Sequence, residues 1–196
     1  GVEPFTATPY DQARLRELFS IKNDDPIYIA VGRYAPVKAY DALIESFVGL
    51  EANLLLVGDG PEREKLERLI SQNNLKSRVT LTGFRNDVQS LLGGVDGMLM
   101  PSHREGFSYA FVEALLQEVP VIATKVPGCV DLLPKKYLLE TNEVAKMHLD
   151  LKELMVKQSD FDADFEDLFT WAKENLFADA MVRNTLEYYE KIYSMK

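Results

Sequence analysis

Residues 27–60 read IYIAVGRYAPVKAYDALIESFVGLEANLLLVGDG, and this stretch sets the architecture. Ile27–Val31 is apolar at successive positions rather than alternate ones, the pattern of a strand covered on both faces. Tyr40, Leu43, Ile44, Phe47 and Val48 then fall at i, i+3, i+4, i+7 and i+8, one stripe of an amphipathic helix. Residues 54–57 return to the first pattern and complete a strand–helix–strand unit. Outward from it, further apolar runs occupy 79–82, 97–100 and 119–123, with a weaker one at 137–139. Helical segments lie between them: one begins at Pro61, and others cover 86–92 and 108–117. Repetition of this unit predicts an α/β fold: a doubly wound, Rossmann-like parallel sheet of about six strands, with helices on both faces and right-handed crossovers.

The flanks read differently. Residues 1–26 form a leader with a short helix at 11–19, and the chain beyond Glu143 turns helical and acidic. Residues 159–167 look like a charged connector, and Ala178, Met181, Val182, Leu186, Tyr189 and Ile192 mark an amphipathic helix over 178–196. No second sheet is predicted, so residues 1–196 form one domain. With 31 acidic and 22 basic side chains the net charge is −9, which argues against general nucleic-acid binding. A local pair of cations can still hold a small anion. The lone Cys129 cannot form an internal disulfide, so a reducing, cytoplasmic setting is expected. No apolar run approaches the ~20 residues of a membrane span.

In an open parallel sheet, ligands bind beyond the carboxyl ends of the strands. The loop Gly32–Lys38 supplies Arg33 and Lys38, a planar fork and a mobile point charge suited to a diphosphate, although spacing alone also fits two solvated cations. It is no Walker A, because Val37 and Ala39 stand where that motif needs Gly and Ser or Thr. Gly58-Asp59-Gly60 lacks the third glycine of a dinucleotide fingerprint and reads as structural. The loop 105–108 enters a helix through Ser108, a natural N-cap, and no acid occupies that helix's first turn. Amides near Gly106 can therefore face an anion, and Glu105 and Glu113 can border one crevice as acceptors for sugar and ribose hydroxyls. His103 shares the loop; His148, in the tail, is assigned no role. Asp160, Asp162 and Asp164 fail the calcium-loop pattern and read as a solvated face.

Taken in order, these segments resemble the C-terminal, donor-binding domain of GT-B glycosyltransferases, specifically the retaining enzymes of family four. The similarity is carried by Val31-Gly32-Arg33 with Lys38, Val57 to Pro61, Gly83-Phe84 with Asp87-Val88, Glu105 through Ala114, and Pro120 to Thr124. It covers roughly residues 27–134, in family order. Val37 and Ala39 replace the usual Glu and Gly, Glu118 replaces a helix-ending Gly, and Asp131 replaces a Glu.

The resemblance implies a role for each residue. Arg33 and Lys38 would grip the donor diphosphate, and Glu113, second in the E-x7-E signature, would hold the ribose. Glu105 would sit at the donor sugar as the catalytic residue. The loop of Gly106, Phe107 and Ser108 would approach sugar and phosphate, while Phe84 and Arg85 would lie near the base. The implied reaction moves a hexose from a nucleotide-diphosphate sugar, UDP-linked or GDP-linked, to a glycan or lipid-linked acceptor, without a metal or other cofactor. The acceptor half, an N-terminal domain with any peripheral attachment to the cytoplasmic face of a membrane, would lie outside these residues. This chain alone would then be an inactive half. A nucleotide-sugar epimerase and a non-catalytic nucleotide-binding domain share the architecture and remain open.

Overall fold

The structure, a computed structural model, describes residues 2–3, 5–106, 108–140, 142–156 and 161–194, with the side chain of Asp162 excluded. Six strands lie in one parallel sheet: β1 Ile27–Val31, β2 Asn53–Val57, β3 Val79–Gly83, β4 Gly97–Met100, β5 Val121–Thr124 and β6 Leu138–Leu139. Their order is β3-β2-β1-β4-β5-β6. Register is regular at the centre, where Ile27 to Val31 pair one-to-one with Asn53 to Val57. Both strands are almost wholly buried, as their continuous apolar runs require.

Helix α1 Gln12–Leu18 precedes the sheet, and between the strands run α2 Tyr40–Ser46, α3 Arg63–Gln72, α4 Val88–Leu92, α5 Tyr109–Leu116 and α6 Cys129–Leu132. The tail adds α7 Val144–Val156, α8 Phe161–Asn175 and α9 Ala178–Ser194. Helices α2 and α3 pack side by side with α7 against α2, whereas α5 packs on α8. Right-handed crossovers put these two groups on opposite faces, because the chain moves outward from β1 in one direction and from β4 in the other.

Several boundaries differ from the sequence reading for identifiable reasons. Pro61 lies in a turn before α3, because the Glu62 N–H donates to the Tyr34 carbonyl (3.1 Å) outside the helix. Strand β5 starts at Val121 rather than 119, since Pro120 contributes a carbonyl to Met98 (2.8 Å) but has no N–H to give. The described part of the supposed connector is helical: Phe161, Phe165 and Phe169 recur every fourth residue, and all three are buried. Tyr137 meets the first two at ring-centroid distances of 5.4 and 4.8 Å, so this acidic helix has an aromatic inner face. The leader is more than a leader, with Leu15 of α1 in the core and Val2 bridged to Phe177.

Candidate functional site

The strand order reverses between β1 and β4, the switch point beyond whose carboxyl edge open parallel sheets bind their ligands. The loop after β1 carries Arg33 and Lys38, and the loop after β4 carries Ser102 to Ser108. The Lys38 Nζ donates to Glu105 Oε1 at 2.5 Å, with the two side chains only 18% and 12% exposed. Residues far apart in sequence thus meet at the point where this topology places ligands.

Glycine is needed to bring the first loop into place. A Cβ on Gly32 would come within 2.8 Å of the Tyr40 hydroxyl and 3.0 Å of Lys38 Cε, so the bare backbone makes room for the lysine stem. A Cβ on Gly58 would meet the Gly32 carbonyl oxygen at 1.9 Å, which fixes the second glycine loop as a packing feature. Ala39 then takes a left-handed φ of 51°, starting α2 immediately after the short 3-10 turn Pro36–Lys38.

The second loop is held by polar contacts that pattern reading missed. Ser102, 1% exposed, donates its hydroxyl to the same Glu105 oxygen at 2.7 Å. Thr124, the last residue of β5, donates to the Ser102 carbonyl at 2.5 Å, and the Asn142 amide donates to the Pro101 carbonyl. The His103 N–H donates to the Val37 carbonyl at 2.8 Å, joining the two loops directly. Position supplied the only advance signal for Ser102 and Thr124, since one follows the end of β4 and the other is the last residue of β5; Asn142 gave none.

The other expected site residues spread along the same edge. Arg33 and Gly106 are exposed, and a Cβ on Gly106 would touch nothing within 4 Å. Ser108 caps α5 as expected, accepting the Phe111 N–H at 3.4 Å. Phe107 lies outside the described residues. Glu113, on α5, accepts from the Gln89 amide at 3.3 Å, and Gln117 donates to the Gln89 carbonyl at 2.5 Å. Phe84 projects from its loop, 83% exposed. Arg85 turns inward, bonding Asp87 at 2.7 and 2.6 Å and standing over the Phe19 ring. Those bonds hold the Asp87 carboxyl below its ordinary range.

Burial, followed by the Glu105 charge, pushes the Cys129 thiol up to about 12, so this cysteine is no thiolate nucleophile. His148 does have a partner: its Nδ1 lies 2.8 Å from the Ser46 carbonyl oxygen, tying α7 to the end of α2. Asp164 is also engaged, accepting from Tyr137 at 2.5 Å and pairing with Lys136, rather than forming a free solvated face. Asp160 and the Asp162 side chain lie outside the description. A hollow of about 450 Å³ opens beside Lys135, Lys136 and Lys146, and two of these lysines are paired to Asp164 and Asp150. The crevice at β1 and β4 is the better candidate, with an exposed arginine and a shared carboxylate.

The family described as "Glycosyl transferases group 1" matches residues 11–166. The chain belongs to the group 1 glycosyl transferases. Relatives include N-acetyl-alpha-D-glucosaminyl L-malate synthase of Bacillus anthracis, 26% identical over 190 residues, covering 93% of this chain and 49% of the relative. An uncharacterized glycosyltransferase of Methanocaldococcus jannaschii is 30% identical over 169 residues, covering 81% and 48%. Among solved structures, HepE of Anabaena, determined with UDP and glucose, superposes with a TM-score of 0.82 at 22% identity, covering 94% of this chain and 53% of that one. The fold of this group 1 glycosyl transferase domain is therefore the Rossmann-like fold of its GT-B neighbours. It spans about half the length of the curated relatives it matches. No helix among the described residues is long and apolar enough to cross a membrane.

Proposed function

We propose that this domain binds the donor in a retaining, family-four hexosyl transfer from a nucleotide-diphosphate sugar, UDP-linked by preference, in glycan or glycolipid synthesis. One observation carries the reading: a cation from the β1 loop and a carboxylate from the β4 loop converge at the switch point of a group 1 glycosyl transferase. An ammonium offers three N–H donors and a carboxylate only acceptors, the complementary needs of a diphosphate and of sugar hydroxyls. In the reaction, the bond from sugar C1 to the diphosphate oxygen breaks and the leaving nucleotide takes its electron pair. A bond from C1 to the acceptor oxygen forms, and the acceptor proton is released.

Lys38, Arg33 and the amides at the start of α5 oppose the charge that grows on the leaving diphosphate. Glu105 takes the sugar hydroxyls and faces the positive charge developing near C1. Glu113, steadied by Gln89, takes the ribose. Phe84 borders the base, with Arg85 behind it as a support fastened to Asp87. This cationic set does the work of a metal, so the proposed reaction needs none.

A partner half of similar size would bring the acceptor and carry any contact with the cytoplasmic membrane face. Beyond Ala180, every described residue of α9 is exposed, including Met181, Val182, Leu186 and Tyr189, and these would be covered by that half.

The test is calorimetric titration of the full-length protein with UDP, GDP, uridine and NAD. Preference for a nucleoside diphosphate over uridine is expected and would identify the base. Equal binding of UDP and uridine, or no binding of either diphosphate, overturns the assignment. Sugar transfer to an acceptor, as opposed to release of an altered sugar nucleotide, then separates the transferase from an epimerase.

A further inference from the structure

We infer that the buried Ser102 hydroxyl is a positioning residue that keeps Glu105 aimed into the crevice once Lys38 turns to the donor. The inference rests on the donor-site reading above. Glu105 Oε1 accepts two donors, Lys38 at 2.5 Å and Ser102 at 2.7 Å, while among the described residues Oε2 accepts none. The two donors differ in what else is asked of them. Lys38 must also neutralise an incoming diphosphate, and its four-carbon stem lets the ammonium move. Ser102 has no second anion to serve, and its hydroxyl sits on a backbone pinned from both sides.

That pinning is visible bond by bond. Thr124 holds the Ser102 carbonyl, Asn142 holds the carbonyl before it, and the next N–H holds Val37. Ser102 is therefore divided between two tasks: its backbone is fixed by the fold, while its hydroxyl acts only on Glu105. Removing the hydroxyl leaves the first task untouched. With Oε1 tied back to Ser102, Oε2 is the oxygen left for a sugar hydroxyl. Without Ser102, donor binding would draw Lys38 away and release Glu105 to rotate, and positioning errors at a reacting centre are costly.

The experiment measures hydrolytic release of nucleoside diphosphate, with water taking the sugar in place of the acceptor, by the full-length protein from UDP-glucose, UDP-galactose, UDP-N-acetylglucosamine and GDP-mannose, continuing with the fastest donor. Ser102→Ala should lower kcat about tenfold while leaving KM and the Kd for UDP within about twofold, the signature of an interaction that matters after binding. Ser102→Thr, which keeps a hydroxyl, should restore kcat to within about threefold of wild type. Ser102→Cys, a near-isosteric weak donor, should behave like Ser102→Ala and guards against a packing artefact.

In a Glu105→Gln background, adding Ser102→Ala should change kcat by less than about twofold, because the carboxylate it acts through is gone. A Ser102→Ala variant with wild-type kcat overturns the inference, as does the same tenfold loss in the Glu105→Gln background. Either result leaves the donor site standing. Wild-type protein that releases nothing from all four donors and binds neither UDP nor GDP overturns the donor-site reading, and this inference with it.

Discussion

The two ends of the one sheet are built on opposite plans. At the amino ends polar groups are closed off against each other. Asp96 accepts from the Ile27 N–H at 2.7 Å and from Gln12 at 2.9 Å, Asn23 and Asn53 exchange amide bonds at 3.2 and 2.7 Å, and Arg78 is paired to Asp25. At the carboxyl ends the polar groups converge but remain open, with Arg33 exposed, Phe84 projecting and one Glu105 oxygen shared by two donors. Parallel strands explain the asymmetry, since every crossover returns to the amino edge and leaves its loop, free to vary, at the other. The closed end secures the fold, whereas the open end holds the charges of the proposed donor site.

The largest effect should come from disturbing the open end. Glu105→Gln is expected to cut sugar transfer by the full-length protein about a hundredfold, the scale for losing one preorganised electrostatic group. The same variant should bind UDP a few-fold more tightly, because Lys38 no longer has a carboxylate to leave; weakened UDP binding would break the picture of a shared cation. Lys38→Ala should weaken UDP about tenfold while changing uridine little, since one charge-assisted bond is worth roughly 1.5–3 kcal/mol. Equal losses for UDP and uridine in titrations would remove Lys38 from the diphosphate.

The closed end contains one flaw, which sharpens the contrast. The Tyr28 hydroxyl is fully buried with no hydrogen-bond partner among the described residues, and burial, followed by the Asp96 charge, pushes its pKa up. Tyr28→Phe should therefore stabilise the protein by about 1 kcal/mol in denaturant unfolding, with transfer unchanged. A destabilised variant would mean that the hydroxyl is satisfied in solution.

Asp87→Asn should cost no more than about 1 kcal/mol near neutral pH, as expected for a partly exposed ion pair. Its sign with pH is fixed. Arg85 depresses the folded-state value, so the contribution is present above the unfolded carboxyl value of about 3.9 and disappears as pH falls through the lower folded one. Thermal melts of wild type and variant should therefore converge on acidification. The smallest change is Glu118→Gly: Glu118 holds a φ of 58°, and relieving it should gain about half a kcal/mol after loss of its Lys173 pair and the entropy cost of glycine.

The continuous apolar runs made the sheet legible, and their boundaries for β1 and β4 agree with the structure to the residue. Helix α8 was obscured because its buried phenylalanines are diluted by Asp and Glu on three sides, so composition suggested a connector. Within the candidate site, Arg33, Lys38, Glu105 and Glu113 were expected from strand-end position and motif, and the structure brings Lys38 and Glu105 into contact. Gln89 and Asn142 could not, because neither lies in a recognisable pattern and each acts only through a neighbour on another element.

The sequence by itself determined a doubly wound α/β domain and the loops that leave its strands, because periodicity and the alternation of strand and helix along the chain are local properties. Only the tertiary structure decided that Lys38 and Glu105 form a single unit, and that Ser102 and Thr124 support it. Those contacts cross from one strand's end to another's, and no spacing along the chain records a distance closed by the sheet.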